Sequence, residues 1–339
     1  MRAFEASVVG LFSGGARVTF LKEHSSATRS AREKPLAVVV ITYNSADTLD
    51  GLLDTLAEGL RGLDRTEVVI ADNASADDSV DRAQAHSIGA RVVHTGWNGG
   101  YSAGINAALA TIRKDADVLI LNPDIRLSPG AAARLAGVLR QHNIGVAVPR
   151  ILHEDGGLFH SLRREPSLQT AWVDALLGTK LGSGLDRGEC VCDSAQYAAP
   201  GIVDWASGAA LAISAEARAE VGDWDETFFL YSEEVDYQRR IRAAGYRIAY
   251  VPQAEVVHIG GEYSRNERLY AILTANRIRD YARHHGWVST AMFRVAVFTG
   301  EVLRSLRGST VHRAGAAAAV KRLPERYVTR PLLSRVSKA

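Results

Sequence analysis

Short, wholly apolar runs alternate with helix-spaced segments along the first half of the chain. Leu36–Ile41 is the clearest run, because consecutive apolar residues rich in valine are typical of a parallel strand buried on both faces. The next segment carries leucines at helical spacing, namely Leu49, Leu52, Leu53, Leu56 and Leu60. This alternation predicts an α/β fold with a doubly wound, mostly parallel sheet.

The alternation continues to Arg150 and then breaks. Further strands are predicted at Glu67–Ala71, Arg91–His94, Val118–Leu121 and Val146–Pro149, with helices over Ala76–Ile88, from Tyr101 through Ile112, and over Ala131–Gln141. Beyond Arg150 the predicted elements are helices over Leu168–Leu177 and from the acids at Glu233 to Ala244, and strands at Ala209–Ile213, Tyr246–Pro252 and Ala254–His258. Gly178–Ala199 has few apolar anchors and is predicted to be a mobile loop.

Polar clusters follow the first four predicted strands. They are Thr42–Asn44, Asp72–Ser75, Asn98–Gly100 and Asn122–Asp124. The carboxyl ends of parallel strands meet at one edge of the sheet, where open α/β folds bind their ligands. We therefore expect these clusters to lie together.

The residue types in these clusters favour a nucleotide site. The Asp72 carboxylate can accept the N3–H of a uracil or thymine ring, and Gly99 and Gly100 let backbone N–H groups approach an anion at a helix start. Asp124 can hold a divalent cation against a diphosphate. Each residue taken alone is also typical of a polar loop, and Asn122–Asp124 of a turn that caps the next helix.

A dinucleotide-binding dehydrogenase is the competing interpretation of an acid after the second strand. That class needs a Gly-x-Gly-x-x-Gly turn between the first strand and the first helix. The turn here is Thr42–Asp47, which contains no glycine. The diphosphate must therefore lie elsewhere, which suits a nucleotide-sugar better.

Three acids in four residues, Glu233, Glu234 and Asp236, open a predicted helix after a run of aromatic residues. Acids in a first turn can be present only because they stabilise the helix dipole. Crowded carboxyl groups also raise one another's pKa toward the range useful for a general base. The residues alone leave both interpretations open.

Overall charge and cysteine content bound the class of protein. The net charge of +2 argues against a nucleic-acid-binding surface, and two cysteines one residue apart, Cys190 and Cys192, favour a reducing compartment. The run Ala291–Leu303 is interrupted by charges, so a membrane-spanning helix is not expected. The C-terminal part is basic, and it is predicted either to lie on an anionic membrane or to be a solvated tail. Its expected apolar contacts are Met292, Phe293, Val297 and Leu303.

Taken in order, these motifs resemble those of the inverting glycosyltransferases of family 2, which have the GT-A fold. The resemblance covers about Leu36–Gly286. Its motifs are the Thr-Tyr-Asn strand end, Asp72-Asn73-Ala-Ser, Asn98-x-Gly100 with Gly104 and Asn106, Asn122-Pro-Asp124, Trp205-x-Ser-Gly208, Glu233-Glu234-x-Asp236, and Val251-Pro252 leading to His258. More narrowly, Ser161–Leu168 resembles bacterial rhamnosyltransferases that extend polyprenyl-diphosphate-linked sugars.

The resemblance implies a role for each matching residue. The nucleotide-sugar would be bound by Thr42, Tyr43, Asn44, Asp72, Asn73, Asn98, Gly100, Tyr101 and Asn122. Asp124 and His258 would hold Mg²⁺ or Mn²⁺, and the acceptor would face Trp205, Ser207 and Gly208. Glu234 would be the base. Glu233 and Asp236 are its alternatives, since relatives carry an aspartate where this chain has the longer Glu234.

The function that the resemblance implies is metal-dependent, inverting hexosyl transfer. A sugar, rhamnose on the narrower resemblance, would move from a dTDP- or UDP-sugar to a hydroxyl of a polyprenyl-diphosphate-linked glycan in cell-envelope polysaccharide synthesis. The alternative is a noncatalytic nucleotide-sugar-binding module or another nucleotide-binding α/β protein.

The expected organisation follows from this function. Residues 1–34 would be a loosely ordered extension, 35–150 the nucleotide-sugar-binding half, 151–286 the acceptor-binding and catalytic half, and 287–339 a basic helical tail. The protein would be cytoplasmic and peripheral on the inner face of the cell membrane through that tail. It would have no nucleic-acid partner, and a homodimer is left open.

Overall fold

The computed structural model describes residues 34–178, 181, 182, 185, 187–260 and 266–321. Residues 1–33 of the predicted extension and residues 322–339 of the predicted tail lie outside this part of the chain. Lys34, which we assigned to the extension, belongs to the fold. Its ammonium lies 2.9 Å from Asp117 Oδ1 and 2.8 Å from Glu216 Oε2.

The strands of the described residues are β1 (Leu36–Thr42), β2 (Thr66–Asp72), β3 (Arg91–His94), β4 (Asp117–Leu121), β5 (Ile125–Leu127), β6 (Ile144–Leu152), β7 (Leu162–Arg163), β8 (Gly201–Val203), β9 (Trp205–Ala206), β10 (Ala210–Ile213) and β11 (Arg247–His258). The helices are α1 (Ala46–Gly59), α2 (Ser79–Ala85), α3 (Tyr101–Leu109), α4 (Ala131–Leu139), α5 (Leu168–Leu176), α6 (Ser194–Ala198), α7 (Ala215–Val221), α8 (Glu233–Ala243), α9 (Glu267–His284), α10 (Trp287–Ser305) and α11 (Thr310–Val320).

Within the described residues, nine strands form one sheet in the order β3-β2-β1-β4-β10-β6-β11-β5, with β8 paired to β11. β1 is parallel to β2 and β4, and β2 is parallel to β3. β10 is antiparallel to both β4 and β6, so β6 and its parallel neighbour β11 run in the direction of β4. The mostly parallel α/β sheet predicted from the sequence is therefore confirmed.

The two faces of β1 pack against different helices. Leu36, Val38 and Val40 join a cluster with the leucines of α1 and α4. Ala37, Val39 and Ile41 join a second cluster with side chains of α3 and α8. Both clusters are buried, which explains why the strand reads as an uninterrupted apolar run. The order of strands reverses at β1, because β2 and β4 lie on opposite sides of it, and this is where open α/β sheets form a ligand crevice.

One predicted boundary near the end of the sheet is wrong. We predicted separate strands at Tyr246–Pro252 and Ala254–His258, but β11 is a single strand over Arg247–His258. Its pairing with β6 shifts register between Val251 and Glu255. A proline can be placed within a strand at such an irregularity.

Other elements also differ from the prediction. The polar helix predicted over Ala76–Ile88 is shorter and spans Ser79–Ala85 (α2). Strand β5 (Ile125–Leu127) was not predicted. The segment predicted as a loop contains the helix α6, in which the Asp193 side chain accepts from the Ala195 N–H at the first turn. β10 and β11, from the predicted second half, lie in the same sheet as the strands of the first half.

The C-terminal helices α9, α10 and α11 form a third core with α5. Its buried members include Ala171, Ile278, Phe293, Val297 and Ala319. The expectation that Phe293 and Val297 supply membrane contacts is wrong, since they are 0% and 4% exposed. Among the described residues, none of the helices combines the length and the apolar composition needed to cross a bilayer.

Candidate functional site

Thr42 and Asp72 end β1 and β2 as register partners. The buried Asp72 carboxylate accepts from Thr42 Oγ1 at 2.9 Å, from the Ser75 N–H at 3.0 Å and from Ser75 Oγ at 2.6 Å. A carboxylate has about four lone-pair positions. Three of them are used by the protein itself, which fixes the group and leaves one position on Oδ2 for a ligand.

The loop after β1 is tied to the loop after β2. The Asn44 N–H donates to Ser75 Oγ at 2.9 Å, and Asn44 Oδ1 accepts from the Ala76 N–H at 2.8 Å. Asn44 has a φ of 51°, a left-handed conformation that asparagine tolerates better than most residues. Tyr43 is half-buried, and its N–H donates to Ser45 Oγ. The structure therefore brings Thr42, Tyr43, Asn44 and Asp72 together, as predicted from their strand ends.

Gly100 lies at the start of α3, where three neighbours fix the backbone. Its N–H donates to Asn98 Oδ1 at 3.0 Å, and its carbonyl accepts from Asn73 Nδ2 at 2.9 Å. Gly100 has a φ of 88°, and a Cβ there would lie 2.1 Å from the Phe229 carbonyl oxygen. The next residue, Tyr101, donates its N–H to the same oxygen at 2.8 Å. Only glycine fits this contact between the start of α3 and the segment that precedes α8.

Asp124 and His258 face one another at the ends of neighbouring strands. Asp124 Oδ2 lies 3.2 Å from His258 Nε2, and the Ile259 N–H donates to the Asp124 carbonyl at 3.1 Å. Asp124 Oδ1 and His258 Nδ1 are both buried and have no hydrogen-bond partner among the described residues. A Cβ on Gly260 would lie 1.9 Å from Asp124 Oδ2, so a larger residue would close this pocket.

This donor set fits a divalent cation. A carboxylate oxygen and an imidazole nitrogen are both metal ligands in proteins. Unpaired buried polar atoms are costly in a folded protein unless a ligand, an ion or water satisfies them. Asp124 and His258 would be two ligands, and phosphate oxygens of a donor would be natural further ligands.

Tyr101 connects the strand ends to the acids. Its hydroxyl donates to Asn122 Oδ1 at 2.9 Å. Burial, and then the negative charges of Glu233, Glu234 and Asp124, raise the pKa of Tyr101 well above its usual value. These three carboxylates therefore lie near enough to act on one phenol, although they come from two distant stretches of the chain.

The two acids that open α8 are held in a dry environment. Oε2 of Glu233 and Oε2 of Glu234 are both buried without a hydrogen-bond partner among the described residues. Burial, and then the charge of Glu234, raise the pKa of Glu233 well above its usual value. Burial raises the pKa of Glu234 to about 7. A carboxylate with a pKa near the working pH has the strength that a general base needs.

Asp236 has different surroundings. Its Oδ2 accepts from Arg240 Nε at 2.8 Å. It also lies near Asp280 and His284, a group that has the composition of a metal site. Both carboxylate oxygens of Asp280 accept from Arg239, at 2.6 and 2.9 Å. A cation there would compete with two guanidinium groups, so the pair Asp124 and His258 fits a metal better.

The residues predicted to face the acceptor lie beside Glu234. Gly208 is so close that a Cβ there would lie 3.2 Å from Glu234 Cβ. The Ser207 N–H donates to the Ser161 carbonyl at 3.0 Å. Trp205 is buried, and its Nε1 donates to the Arg164 carbonyl at 2.9 Å. Of these three, Trp205 is therefore the residue most engaged in packing within the protein.

A contact that sequence reasoning missed lies behind the acids. Tyr231 and Ser232, the two residues before Glu233, both have a φ of 70°, a strained conformation for residues other than glycine. Asn276 of α9 is buried and donates its Nδ2 to the carbonyls of Leu230 at 2.9 Å and Tyr231 at 3.3 Å. We define residues 229–232 as the acid turn. No local pattern around Asn276 could have indicated this long-range contact.

The chain is similar in sequence to several known proteins. A model of the family "Glycosyl transferase family 2" matches residues 37–197. N-acetylglucosaminyl-diphospho-decaprenol L-rhamnosyltransferase of Mycobacterium tuberculosis is 31% identical over 271 residues, which cover 74% of this chain and 86% of that protein. Rhamnosyltransferase WbbL of Escherichia coli (strain K12) is 21% identical over 239 residues, which cover 68% of this chain and 85% of that protein.

A solved structure supports the fold independently. The mannosyltransferase PcManGT from Pyrobaculum calidifontis, in complex with GDP-Man and Mn²⁺, superposes with a TM-score of 0.50 at 18% identity. The superposition covers 93% of this chain and 86% of that one. The GT-A fold expected from the sequence motifs is thereby confirmed.

Proposed function

The chain belongs to glycosyl transferase family 2 and is a glycosyltransferase, and we propose that it moves rhamnose from a nucleoside diphosphate to a lipid-linked glycan. The observation that carries the proposal is that Asp124 faces His258 with buried, unpaired ligand atoms, while the buried acids Glu233 and Glu234 open α8 just after the segment that contacts Gly100. The Mycobacterium tuberculosis relative is named for transfer of L-rhamnose to N-acetylglucosaminyl-diphospho-decaprenol. A similar polyprenyl-diphosphate-linked acceptor is proposed for this chain, as a step in cell-envelope polysaccharide synthesis.

The donor is proposed to be a dTDP- or UDP-sugar bound along the strand ends. The free lone pair of Asp72 is placed to accept the N3–H of a pyrimidine, next to Thr42 and Asn44. Asn98, Gly100 and Tyr101 would follow the diphosphate, since the start of α3 presents backbone N–H groups to an anion.

Asp124 and His258 are proposed to bind Mg²⁺ or Mn²⁺ with the diphosphate. When bound, the cation stabilises the charge that develops on the departing nucleoside diphosphate. Asp124 and His258 would fix the position of the cation relative to Asn122 and Tyr101. The hydrogen bond from Tyr101 to Asn122 keeps the phenol oriented at this point.

Glu234 is proposed to be the base. Its pKa of about 7 lets it be ionised near neutral pH and still accept the proton of an acceptor hydroxyl. Burial and the charge of Glu234 raise the pKa of Glu233, which disfavours a second charge beside Glu234. The deprotonated hydroxyl attacks the anomeric carbon from the face opposite the diphosphate, which inverts the configuration of that carbon. Asp236 is the weakest candidate because Arg240 already binds it.

The lipid link of the proposed acceptor requires access to a membrane surface. We propose that the protein is peripheral on the inner face of the cell membrane, where nucleotide-sugars are available. The basic C-terminal residues favour an anionic surface. A homodimer is compatible with this arrangement but is not required by it.

A transfer assay tests the proposed function. The full chain is incubated with dTDP-rhamnose or UDP-sugars, Mn²⁺ or Mg²⁺, and a polyprenyl-diphosphate-linked N-acetylglucosamine. We expect one sugar to be added with inverted configuration, with dTDP-rhamnose the best donor and a chelator abolishing the reaction. Transfer of a different sugar would show that rhamnose is not the donor sugar. Undiminished transfer in the presence of the chelator would show that the reaction needs no cation.

A further inference from the structure

The exposed face of α10 is entirely apolar. Every exposed residue of this helix, between Trp287 and Ser305, is an apolar one. The largest are Trp287, Val288, Met292, Val295, Phe298 and Leu303, and Trp287 is 83% exposed. Their spacing places them along one side of the helix. We call this surface the α10 face.

The opposite side of α10 is already used by the protein core. Phe293, Ala296 and Val297 are buried against α5, α9 and α11. A Cβ on Gly300 would lie 2.9 Å from Ala175 Cα, so α10 crosses α5 in close contact. The helix is therefore apolar on both sides, which a helix on the surface of a monomer in water rarely is.

The apolar surface extends onto the end of α5. Leu176 and Leu177 follow the contact at Ala175 directly, and they are 62% and 42% exposed. Leu181 and Leu185, further along, are also exposed. α5 begins just after Arg163 and Arg164, which contact the Trp205 strand on the acceptor side of the site. The apolar surface and the acceptor side are thus joined by one helix.

The exposed charges of the segment that carries the α10 face have one sign. Residues 287–321 contain a single acid, Glu301. Glu301 is buried and is bound by Tyr270, Arg304 and His312. The exposed charged residues of this segment are all basic, namely Arg307, Arg313 and Lys321. An apolar face with cations and no exposed acids is complementary to an anionic phospholipid surface.

We propose that the α10 face lies on the membrane and is the principal contact that docks this enzyme there. The choice of a lipid surface rests on the proposed function, since the acceptor is a membrane lipid. Trp287 would sit at the headgroup level, where the amphipathic indole ring is favoured. The aliphatic residues would enter the boundary of the acyl chains, and the acceptor side would face the bilayer through α5. The basic end of the chain then adds attraction but does not replace this contact.

Flotation of the full chain with vesicles tests the proposal. The vesicles are phosphatidylcholine, with or without phosphatidylglycerol. The test variant is Val295→Asp, in the middle of the α10 face, and the matched control is Ile202→Asp, at an exposed apolar residue of β8. We expect Val295→Asp to lower the bound fraction by roughly tenfold with either vesicle. Ile202→Asp should float like the wild type.

A second variant separates the α10 face from the basic end of the chain. Arg322→Glu, Arg326→Glu and Arg330→Glu are combined in the full chain. This variant should bind anionic vesicles more weakly than the wild type does but still bind them, and should bind neutral vesicles like the wild type, because charge attraction does not act on neutral ones. Loss of all binding in this variant, with full binding in Val295→Asp, would overturn the proposal. So would a wild-type dimer that Val295→Asp dissociates and that binds no vesicles, since a second copy would then cover the face.

Failure of the proposed function is distinguishable from failure of this inference. Transfer to a short-chain, water-soluble acceptor should be unchanged in Val295→Asp, because the α10 face contains no residue of the site. A protein that floats in this pattern and transfers no sugar would contradict the proposed function and leave the docking surface standing. A protein that transfers sugar but floats equally in every variant would contradict the docking surface and leave the proposed function standing.

Discussion

The two carboxylate regions of the site are built in opposite ways. At the end of β2, Asp72 is satisfied by three hydrogen bonds from Thr42 and Ser75. At the start of α8, Glu233 and Glu234 each hold a buried oxygen without a partner among the described residues, after two residues with positive φ. The first arrangement holds a carboxylate in place. The second keeps a carboxyl group basic at the cost of backbone strain.

This difference separates recognition from proton transfer. A carboxylate that binds the nucleotide base must hold its position whether or not the ligand is present, and neighbouring donors fix that position. A base that takes a proton must be less stable when charged, which desolvation ensures. The same residue type thus serves two purposes because its surroundings differ.

Asp124 lies where the two regions meet, so its removal is expected to have the largest effect. Asp124→Ala should lower kcat by about 10³-fold, since the cation stabilises the transition state by several kcal/mol. The control is Asp115→Ala, at an exposed aspartate two residues before β4, which should leave kcat unchanged. A chelator should reduce the wild type to the level of Asp124→Ala and lower that variant no further. Near-wild-type turnover in Asp124→Ala would contradict the metal site.

Glu234→Gln tests the second arrangement directly. It should lower kcat by about 10²-fold through loss of the base, and Glu233→Gln should lower it less. The same substitution should make the folded protein more stable than the wild type above neutral pH. The pKa of Glu234 is raised to about 7 in the folded state from 4.5, so its ionisation removes stability as pH rises through that range. The melting temperature of Glu234→Gln should therefore exceed that of the wild type at about pH 8 and match it at about pH 4.

The pH dependence of the wild type follows from the same group. A base must be deprotonated to act, so kcat should rise with pH and reach half of its maximum near the pKa of about 7 of Glu234. Steady-state rates measured at saturating donor give this midpoint. A rate that is flat from pH 5 to pH 8 would assign the proton transfer to another group.

Sequence reasoning reached the first region more fully than the second. The strand ends at Thr42, Asp72 and Asp124 could be placed together because alternation of strands and helices fixes which edge they share. The acids at Glu233 and Glu234 were visible only as a crowded first turn. What distinguishes them from Asp236 is that Arg240 binds Asp236, and this pairing and the burial of the two acids follow from tertiary packing.

Two structural facts had no local signal at all. The antiparallel insertion of β10 between β4 and β6 is a choice of pairing partner, which an apolar run does not encode. The exposed side and the buried side of α10 have the same apolar composition, so the sequence does not distinguish them. Val295 is exposed and Val297 is buried, although both are valines. Only packing decides which of them faces the core.

Asn276 provides a test of how the strained region is held. Asn276→Ala removes two hydrogen bonds to the acid turn, and it should lower kcat by about tenfold with little change in KM. A loosened turn admits water to Glu234, so the pH midpoint of kcat should also fall below about 7. Thr274→Ala, at a buried residue of the same helix that bonds only Tyr270, is the control. An equal loss of stability in both variants with an unmoved pH midpoint would make the role of Asn276 merely structural.

The smallest effect is expected in the region that is already satisfied. Asp72→Asn keeps the shape of the side chain but replaces an acceptor with an amide, so KM for a pyrimidine donor should rise about tenfold while kcat changes little. Asp77→Asn is the matched control in the same loop, because Asp77 is likewise bound by Ser79 and by the Ala46 N–H. Both variants should lose some melting temperature, but only Asp72→Asn should lose the thermal shift that UDP or dTDP gives the wild type. If both variants lost the thermal shift equally, the Asp72 carboxylate would stabilise the loop and would not bind the nucleotide base.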